Sequence, residues 1–270
     1  MDRPGRDLNP GAADSWPPEI VPLAQELADA AGAVIRPYFR SAPTAELKGD
    51  LSPVTVADRA AEQAMRALIA ARRPLDGIHG EEFGLERPES AWRWVLDPID
   101  GTRAFITGRP IFGTLIGLLH AGRPVLGVID QPITGERWLG VAGQRTVFRG
   151  AHGRAGTRAC AEIGHAELSC TSPELLGEGL TRFQHLAGAS RRVTWGGDCY
   201  AYGLLALGLI DVVAERDLKI WDWAALVPVV EGAGGRMTDW HGNPLTPDSP
   251  GDALAVGDPA LLASVVGLLA

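Results

Sequence analysis

The segment Trp94-Val95-Leu96-Asp97-Pro98-Ile99-Asp100-Gly101-Thr102 sets two carboxylates three residues apart. Three apolar residues lead into Asp97, and Pro98 disfavours helical backbone at the residue before it, so a strand is expected to end at Asp97. Asp97 and Asp100 can then point to one side of a turn. Gly101 and Thr102 leave backbone N–H groups free at an expected helix start, which suits an anion. Carboxylates beside an anion cradle make chemical sense when a cation lies between them. Two hard divalent cations, bridged by carboxylates and holding a phosphate, satisfy both charges. The competing reading is local: both aspartates serve as turn and N-cap residues.

Further carboxylates bear on the choice. Glu81 and Glu82 follow the strand-like Gly77-Ile78-His79, so they too can sit at a strand end. Trp221-Asp222-Trp223-Ala224-Ala225 opens a helix. Asp222 reads as its N-cap, yet a helix start with these apolar neighbours would aim it into a cleft between two halves of the chain. Asp58 is divided between a cap and catalytic support. Glu62, four residues before Arg66, reads as an exposed i,i+4 ion pair, and Glu82 as a supporting or structural residue. The six histidines show no ligand spacing. Trp92, Trp94 and Trp138 lie in strand-like segments and read as core.

The elements that must position these groups follow from periodicity. Residues 18–40 place Ile20, Leu23, Ala24, Leu27, Ala31, Val34, Ile35 and Tyr38 at helical spacing. Thr55-x-x-Asp58 reads as a cap for a second helix through about Arg72. Strand-like runs follow at Gly77–Phe83, Trp92–Ile99, Phe112–His120, Pro124–Asp130, Arg137–Val141 and Thr146–Arg149, with short connections that suit an antiparallel meander. Gly150–Gly156 is the expected boundary. Beyond it, strands at Glu167–Cys170, Arg192–Thr194, Asp211–Ala214 and Ala253–Val256 alternate with helices at Pro173–Ala187, Tyr200–Leu207, Trp223–Gly232 and Ala260–Leu269. The expected organisation is a disordered leader over 1–16, an α+β subdomain over 17–152 and an α/β subdomain over 153–270.

Composition narrows the class. Of 270 residues 46% are apolar and 21% charged, which is ordinary globular usage and excludes a disordered chain. The formal net charge of −8 and the absence of basic runs argue against nucleic acid or an anionic membrane as partner. Cys160, Cys170 and Cys199 have no CxxC spacing and an odd count, so reduced thiols in a cytoplasmic protein are expected. No apolar run reaches the length of a bilayer span.

Glu81-Glu82, Asp97-Pro98-Ile99-Asp100-Gly101-Thr102 and Trp221-Asp222-x-Ala224-Ala225, in this order, resemble the signature of the inositol-monophosphatase superfamily of lithium-sensitive, magnesium-dependent phosphomonoesterases. Lys48, Asp50, Ser52-Pro53-Val54-Thr55 and Asp58 are similar to its first motif, and Gly232-Ala233-Gly234-Gly235 to its usual helix end. The resemblance covers nearly the whole chain from about Pro18. It implies a layered α/β/α/β/α sandwich with the active site between two subdomains, and a homodimer.

The resemblance also implies a ligand set. One Mg²⁺ would be held by Glu81, Asp97 and the backbone carbonyl of Ile99, and a second by Asp97, Asp100 and Asp222. A third, weaker ion would lie near Glu81, and Mn²⁺ is an alternative to Mg²⁺. Thr102, with Glu81 and Asp58, would orient and deprotonate the attacking water, while Gly101 and Thr102 cradle the phosphate of a small phosphorylated metabolite.

Within the superfamily, Gly108–Ile116, Gly127–Pro132, Glu136–Trp138 and Gly197–Tyr202 resemble the histidinol-phosphate phosphatase branch. Its substrate carries a cationic amine, so its pocket should be acidic beyond the metal ligands. Asp198 and Glu215 are the candidates, beside Asp222. Asp198 reads equally as a helix cap, and Glu215 equally as the partner of a sugar hydroxyl. The alternatives are an inositol-1-phosphate or related sugar phosphatase, a 3′-phosphoadenosine 5′-phosphate phosphatase, or a catalytically silent binding protein.

Overall fold

The first helical spacing folds as α1 (Ile20–Ile35), followed by a 3₁₀ turn over Arg36–Tyr38. A computed structural model describes residues 16–41 and 53–270, with side chains from residue 56 onward in the second segment. Lys48, Asp50, Ser52 and the side chains of Pro53, Val54 and Thr55 therefore lie outside the described residues, as does the expected leader up to residue 15. Trp16 corrects that leader's boundary. It packs edge-on against Trp92 with ring centroids 6.1 Å apart, and its indole donates to the Ala142 carbonyl.

Next come α2 (Pro53–Arg72), β1 (Gly77–Gly80), β2 (Gly84–Glu86), β3 (Trp92–Asp100), α3 (Thr102–Ile106), β4 (Gly113–His120), β5 (Arg123–Gln131), β6 (Glu136–Val141) and β7 (Val147–Arg149). They build a seven-stranded sheet in the order β2-β1-β3-β4-β5-β6-β7. The meander from β3 to β7 is antiparallel, and β1 lies parallel to β3. Two readings are corrected here. The single run Gly77–Phe83 is a hairpin of β1 and β2 that turns at Glu81–Phe83. β3 does not stop at Asp97 but runs to Asp100 through an irregularity in its pairing with β4. Pro98, having no N–H, loses nothing there, and its carbonyl accepts the Thr114 hydroxyl at 2.7 Å.

The second half contributes β8 (Glu167–Cys170), α4 (Leu180–Ala189), β9 (Arg192–Trp195), α5 (Asp198–Leu205), β10 (Val212–Glu215), α6 (Ile220–Trp223), α7 (Leu226–Ala233), β11 (Arg236–Thr238), β12 (Ala253–Val256) and α8 (Leu262–Leu269). Its sheet has the order β11-β12-β10-β8-β9. Two expected helices are divided. Pro173–Ala187 breaks at Gly177, whose φ of 49° and ψ of −127° is not helical, and Trp223–Gly232 is shared between α6 and α7.

Alternation along the strands assigns the layers. Trp94, Leu96, Ile116, Leu118, Leu126 and Val128 face α1 and α2. Val95, Leu115, Ile129 and Trp138 face α5, α6 and α7, which also receive Val213, Ala253 and Ala255 from the second sheet. Leu168, Val212, Leu254 and Val256 face α4 and α8. The result is an α/β/α/β/α sandwich whose central helical layer is shared by both sheets. No described helix is long and apolar enough to cross a membrane.

Glycines set the depth of that central layer. A Cβ on Gly127 would lie 1.8 Å from the Ala225 carbonyl oxygen, one on Gly140 2.3 Å from the Pro228 carbonyl carbon, and one on Gly117 3.2 Å from Ala224. The α6–α7 backbone thus rests directly on bare strand backbone. This close approach brings Asp222, on α6, down to the level of β3.

Candidate active site

Asp97 and Asp100 on β3 and Asp222 on α6 offer carboxylate oxygens that all lie within 4.8 Å of one another. Asp97 is 2% exposed and one of its oxygens has no partner. Asp222 is not an N-cap. It sits in the first turn of α6, where one oxygen reaches back to accept the Lys219 N–H at 2.6 Å. That bond fixes the carboxyl while leaving one of its oxygens within 4.8 Å of an Asp97 oxygen. Glu81 enters from the end of β1. Its own N–H donates to the Leu96 carbonyl at 3.1 Å, continuing the parallel pairing of β1 with β3, and its carboxyl lies within reach of Asp97.

Asp58 is brought to the same place. It lies inside α2 rather than at its cap, is buried, and has one oxygen unpartnered. Thr102 opens α3, and its hydroxyl donates to the Ile99 carbonyl at 3.4 Å. Gly101 precedes it at φ +89°, a left-handed conformation that glycine adopts freely. A Cβ at Gly101 would sit 3.0 Å from an oxygen of Asp198.

The electrostatics are those of acids crowded out of water. Burial, then Asp100 and Glu81, pushes Asp97 well above the usual carboxylate range. Burial, then Asp198 and Asp222, does the same to Asp100. Glu81 is raised to about 7 by burial and then by Asp222. Asp222 is raised to about 6, mainly by burial, and Asp58 to about 8 by burial and then by Glu81. Converging buried carboxylates with unpartnered oxygens on Asp97 and Asp58 fit a bound divalent cation. An all-oxygen donor set belongs to a hard ion.

A cavity of about 180 Å³ opens beside this cluster, lined by Asp100, Asp198, Tyr202, Glu215, Arg216 and Asp222. Asp198 begins α5 at φ +44°. Its carboxyl is raised by burial against the opposing pull of Arg109 and Arg103. Glu215 ends β10 with 3% exposure. It accepts the Thr171 N–H at 2.7 Å and the Thr171 hydroxyl at 2.9 Å, and burial raises it to about 7 despite those bonds. A larger groove of about 720 Å³ lies along β6 and α7, with Glu231 as its only carboxylate among the described lining residues. It brings no acids together, so the smaller cavity is where chemistry is possible.

Comparison with known proteins agrees with the geometry. The family model described as the inositol monophosphatase family matches residues 16–267. The chain belongs to that family. It is a phosphatase, a hydrolase of phosphate monoesters. The bifunctional phosphatase IMPL2, chloroplastic, of Arabidopsis thaliana is 49% identical over 86% of this chain and 68% of its own length. The histidinol-phosphatase of Mycobacterium tuberculosis is 40% identical over 82% of this chain and 87% of its own. A solved inositol monophosphatase from Zymomonas mobilis superimposes with a TM-score of 0.86 at 52% identity, covering 92% of this chain and 96% of that one.

Two features escape sequence reasoning. Glu62 is correctly paired with Arg66, at 2.7 Å, but it is fully buried rather than exposed. It lies one helical turn after Asp58, so the spacing that paired it with Arg66 also places it on the site-facing side of α2. The other is the Cys199 N–H, which donates to Asp100 at 2.6 Å across the two halves. A backbone group leaves no residue-type signal.

Proposed function

We propose that this phosphatase hydrolyses L-histidinol phosphate to L-histidinol and phosphate with Mg²⁺, and with Mn²⁺ as a substitute. The observation that carries the reading is that Asp198 and Glu215 both line the cavity beside Asp97, Asp100 and Asp222. Acids beyond those needed for the metal suit a leaving group that is cationic. One relative supports it: the histidinol-phosphatase of M. tuberculosis.

In this reading Glu81, Asp97 and the Ile99 carbonyl would hold one cation and Asp97, Asp100 and Asp222 a second, with Glu81 also serving a weaker third. Bound cations supply charge for the phosphate and acidify water. The Thr102 hydroxyl would orient the attacking water, and the Glu81 carboxylate, with Asp58 behind it, would take its proton. The N–H groups of Gly101 and Thr102 bind phosphate oxygens. Water attacks phosphorus, the ester P–O bond breaks, and the leaving alkoxide takes a proton from solvent water, to which the base returns the one it removed. Asp198 and Glu215 hold the amine and imidazole meanwhile. No covalent intermediate is required.

The same proposal includes a homodimer and a cytoplasmic location, the latter supported by three buried thiols without a disulfide. The 52% identity to a solved inositol monophosphatase favours a second reading, an inositol-1-phosphate phosphatase, in which Glu215 accepts a sugar hydroxyl. Comparing kcat/KM for histidinol phosphate and inositol 1-phosphate decides between them. Preference for the inositol ester overturns the first reading. Magnesium-dependent turnover that survives Asp97→Asn or Asp222→Asn overturns both.

A further inference from the structure

Both oxygens of a carboxylate that touches no expected ligand are spent on the turn carrying Glu81. Glu62 on α2 accepts the N–H of Glu82 at 2.8 Å through one oxygen and the N–H of Phe83 at 3.2 Å through the other. Arg66, one turn further along α2, donates to Glu62 at 2.7 Å, to Glu86 at 2.7 Å and to the Gly84 carbonyl at 2.6 Å. Glu62 is fully buried and its side chain has no exposure, so a carboxylate here must be held by such partners.

We propose that Glu62 is a positioning residue that sets Glu81 for cation binding. Three observations converge. The backbone N–H groups bonded to Glu62 are those of the two residues that follow Glu81. The residue before Glu81 is Gly80, where a Cβ would lie 2.0 Å from one Glu62 oxygen and 2.6 Å from the other, so position 80 is kept bare for this carboxylate. Finally, Glu81 is pinned to β3 by its own N–H. The backbone of Glu81 is thus fixed from β3 on one side and from Glu62 on the other, which leaves its carboxyl a small set of orientations beside Asp97. Groups that orient a ligand without touching the ion typically cost about 10–100-fold in metal affinity or activity when removed.

This inference rests on the metal-dependent reading of the site, and its test separates the two. Mn²⁺ binding to the metal-free protein is measured by calorimetry for wild type, Glu62→Gln, Glu62→Asp and Gly80→Ala, with thermal unfolding without metal, kcat and KM. An amide at 62 has one acceptor oxygen, and its NH₂ opposes the second backbone N–H. The expected result for Glu62→Gln is a loss of Mn²⁺ affinity of about tenfold or more, with KM for the ester at saturating metal within about twofold of wild type. Glu62→Asp, which keeps the charge but not the reach, falls between. Gly80→Ala displaces the carboxylate without removing any charge, is expected to show the same loss, and carries the test if Glu62→Gln does not fold. Folded variants that bind Mn²⁺ like wild type overturn the positioning role. Wild type that binds no Mn²⁺ overturns the metal-dependent reading and this inference together.

Discussion

Asp100 accepts the backbone N–H of Cys199 at 2.6 Å, joining β3 of the first sheet to α5 of the second half. One oxygen of a proposed cation ligand therefore also ties the halves of the molecule together. Asp100→Asn can keep that bond through its amide oxygen while removing a charge from a cluster that repels itself. Metal-free Asp100→Asn is expected to unfold at or above the wild-type temperature at pH 8, whereas its kcat/KM falls at least about a hundredfold, since even outer residues of such sites cost up to about that much. Calorimetry beside initial rates checks both. A variant that loses stability and activity in parallel marks Asp100 as structural.

Bound cations relieve the repulsion among Glu81, Asp97, Asp100 and Asp222, so they bind the folded chain in preference to the unfolded one. At a free Mg²⁺ concentration of about 100 Kd the linkage contributes about 2.7 kcal/mol, on the order of 5–10 °C for a chain of this size. Asp222→Asn is expected to flatten this dependence. A wild-type unfolding temperature that ignores millimolar Mg²⁺ counts against a cation site here.

Glu215 gives a pH prediction. Burial lifts its folded pKa to about 7, whereas in the unfolded chain it ionises near about 4.3. The folded state therefore binds this proton more tightly. Its contribution costs nothing below about pH 4, grows as pH rises, and reaches its full cost above about 7. Glu215→Gln should gain stability relative to wild type between pH 5 and 8, measured as the difference in unfolding temperature. The same ionisation makes a cationic ester a better substrate as pH rises through about 7, so the wild-type to variant ratio of kcat/KM climbs across that range. A ratio that stays flat removes Glu215 from cation binding.

Gly127 tests the central layer. Alanine there would place its Cβ 1.8 Å from the Ala225 carbonyl oxygen, which a backbone atom cannot avoid without moving α6 and α7. Gly127→Ala is expected to cost about 3 kcal/mol, the upper end for overpacking, read from chemical denaturation. Because α6 carries Asp222, weaker Mg²⁺ binding should accompany the loss of stability. Gly135→Ala, at a turn with open space around it, should leave Mg²⁺ binding unchanged.

The sequence by itself determined what short-range chemistry can fix. Asp97-Pro98-Ile99-Asp100-Gly101-Thr102 carries its strand, its two aspartates and its helix start within a few residues. The apolar spacing of α1, β3 to β6 and β12 reports which faces are buried, because alternation and helical period are local properties. The short strands β2 and β11 carried too few residues to show a period, and the strand end set at Asp97 moved to Asp100 because pairing with β4 overrode the proline. What only the tertiary structure decided depends on groups distant in the chain. Glu62 looked like a surface ion pair because spacing to Arg66 says nothing of depth, and only the hairpin folded over α2 buries it and gives it two N–H donors. Asp222 joins Asp97 and Asp100 because Gly117, Gly127 and Gly140 let a helix from the second half rest on the first sheet. Residue types named the acids; backbone proximity decided which of them share one site.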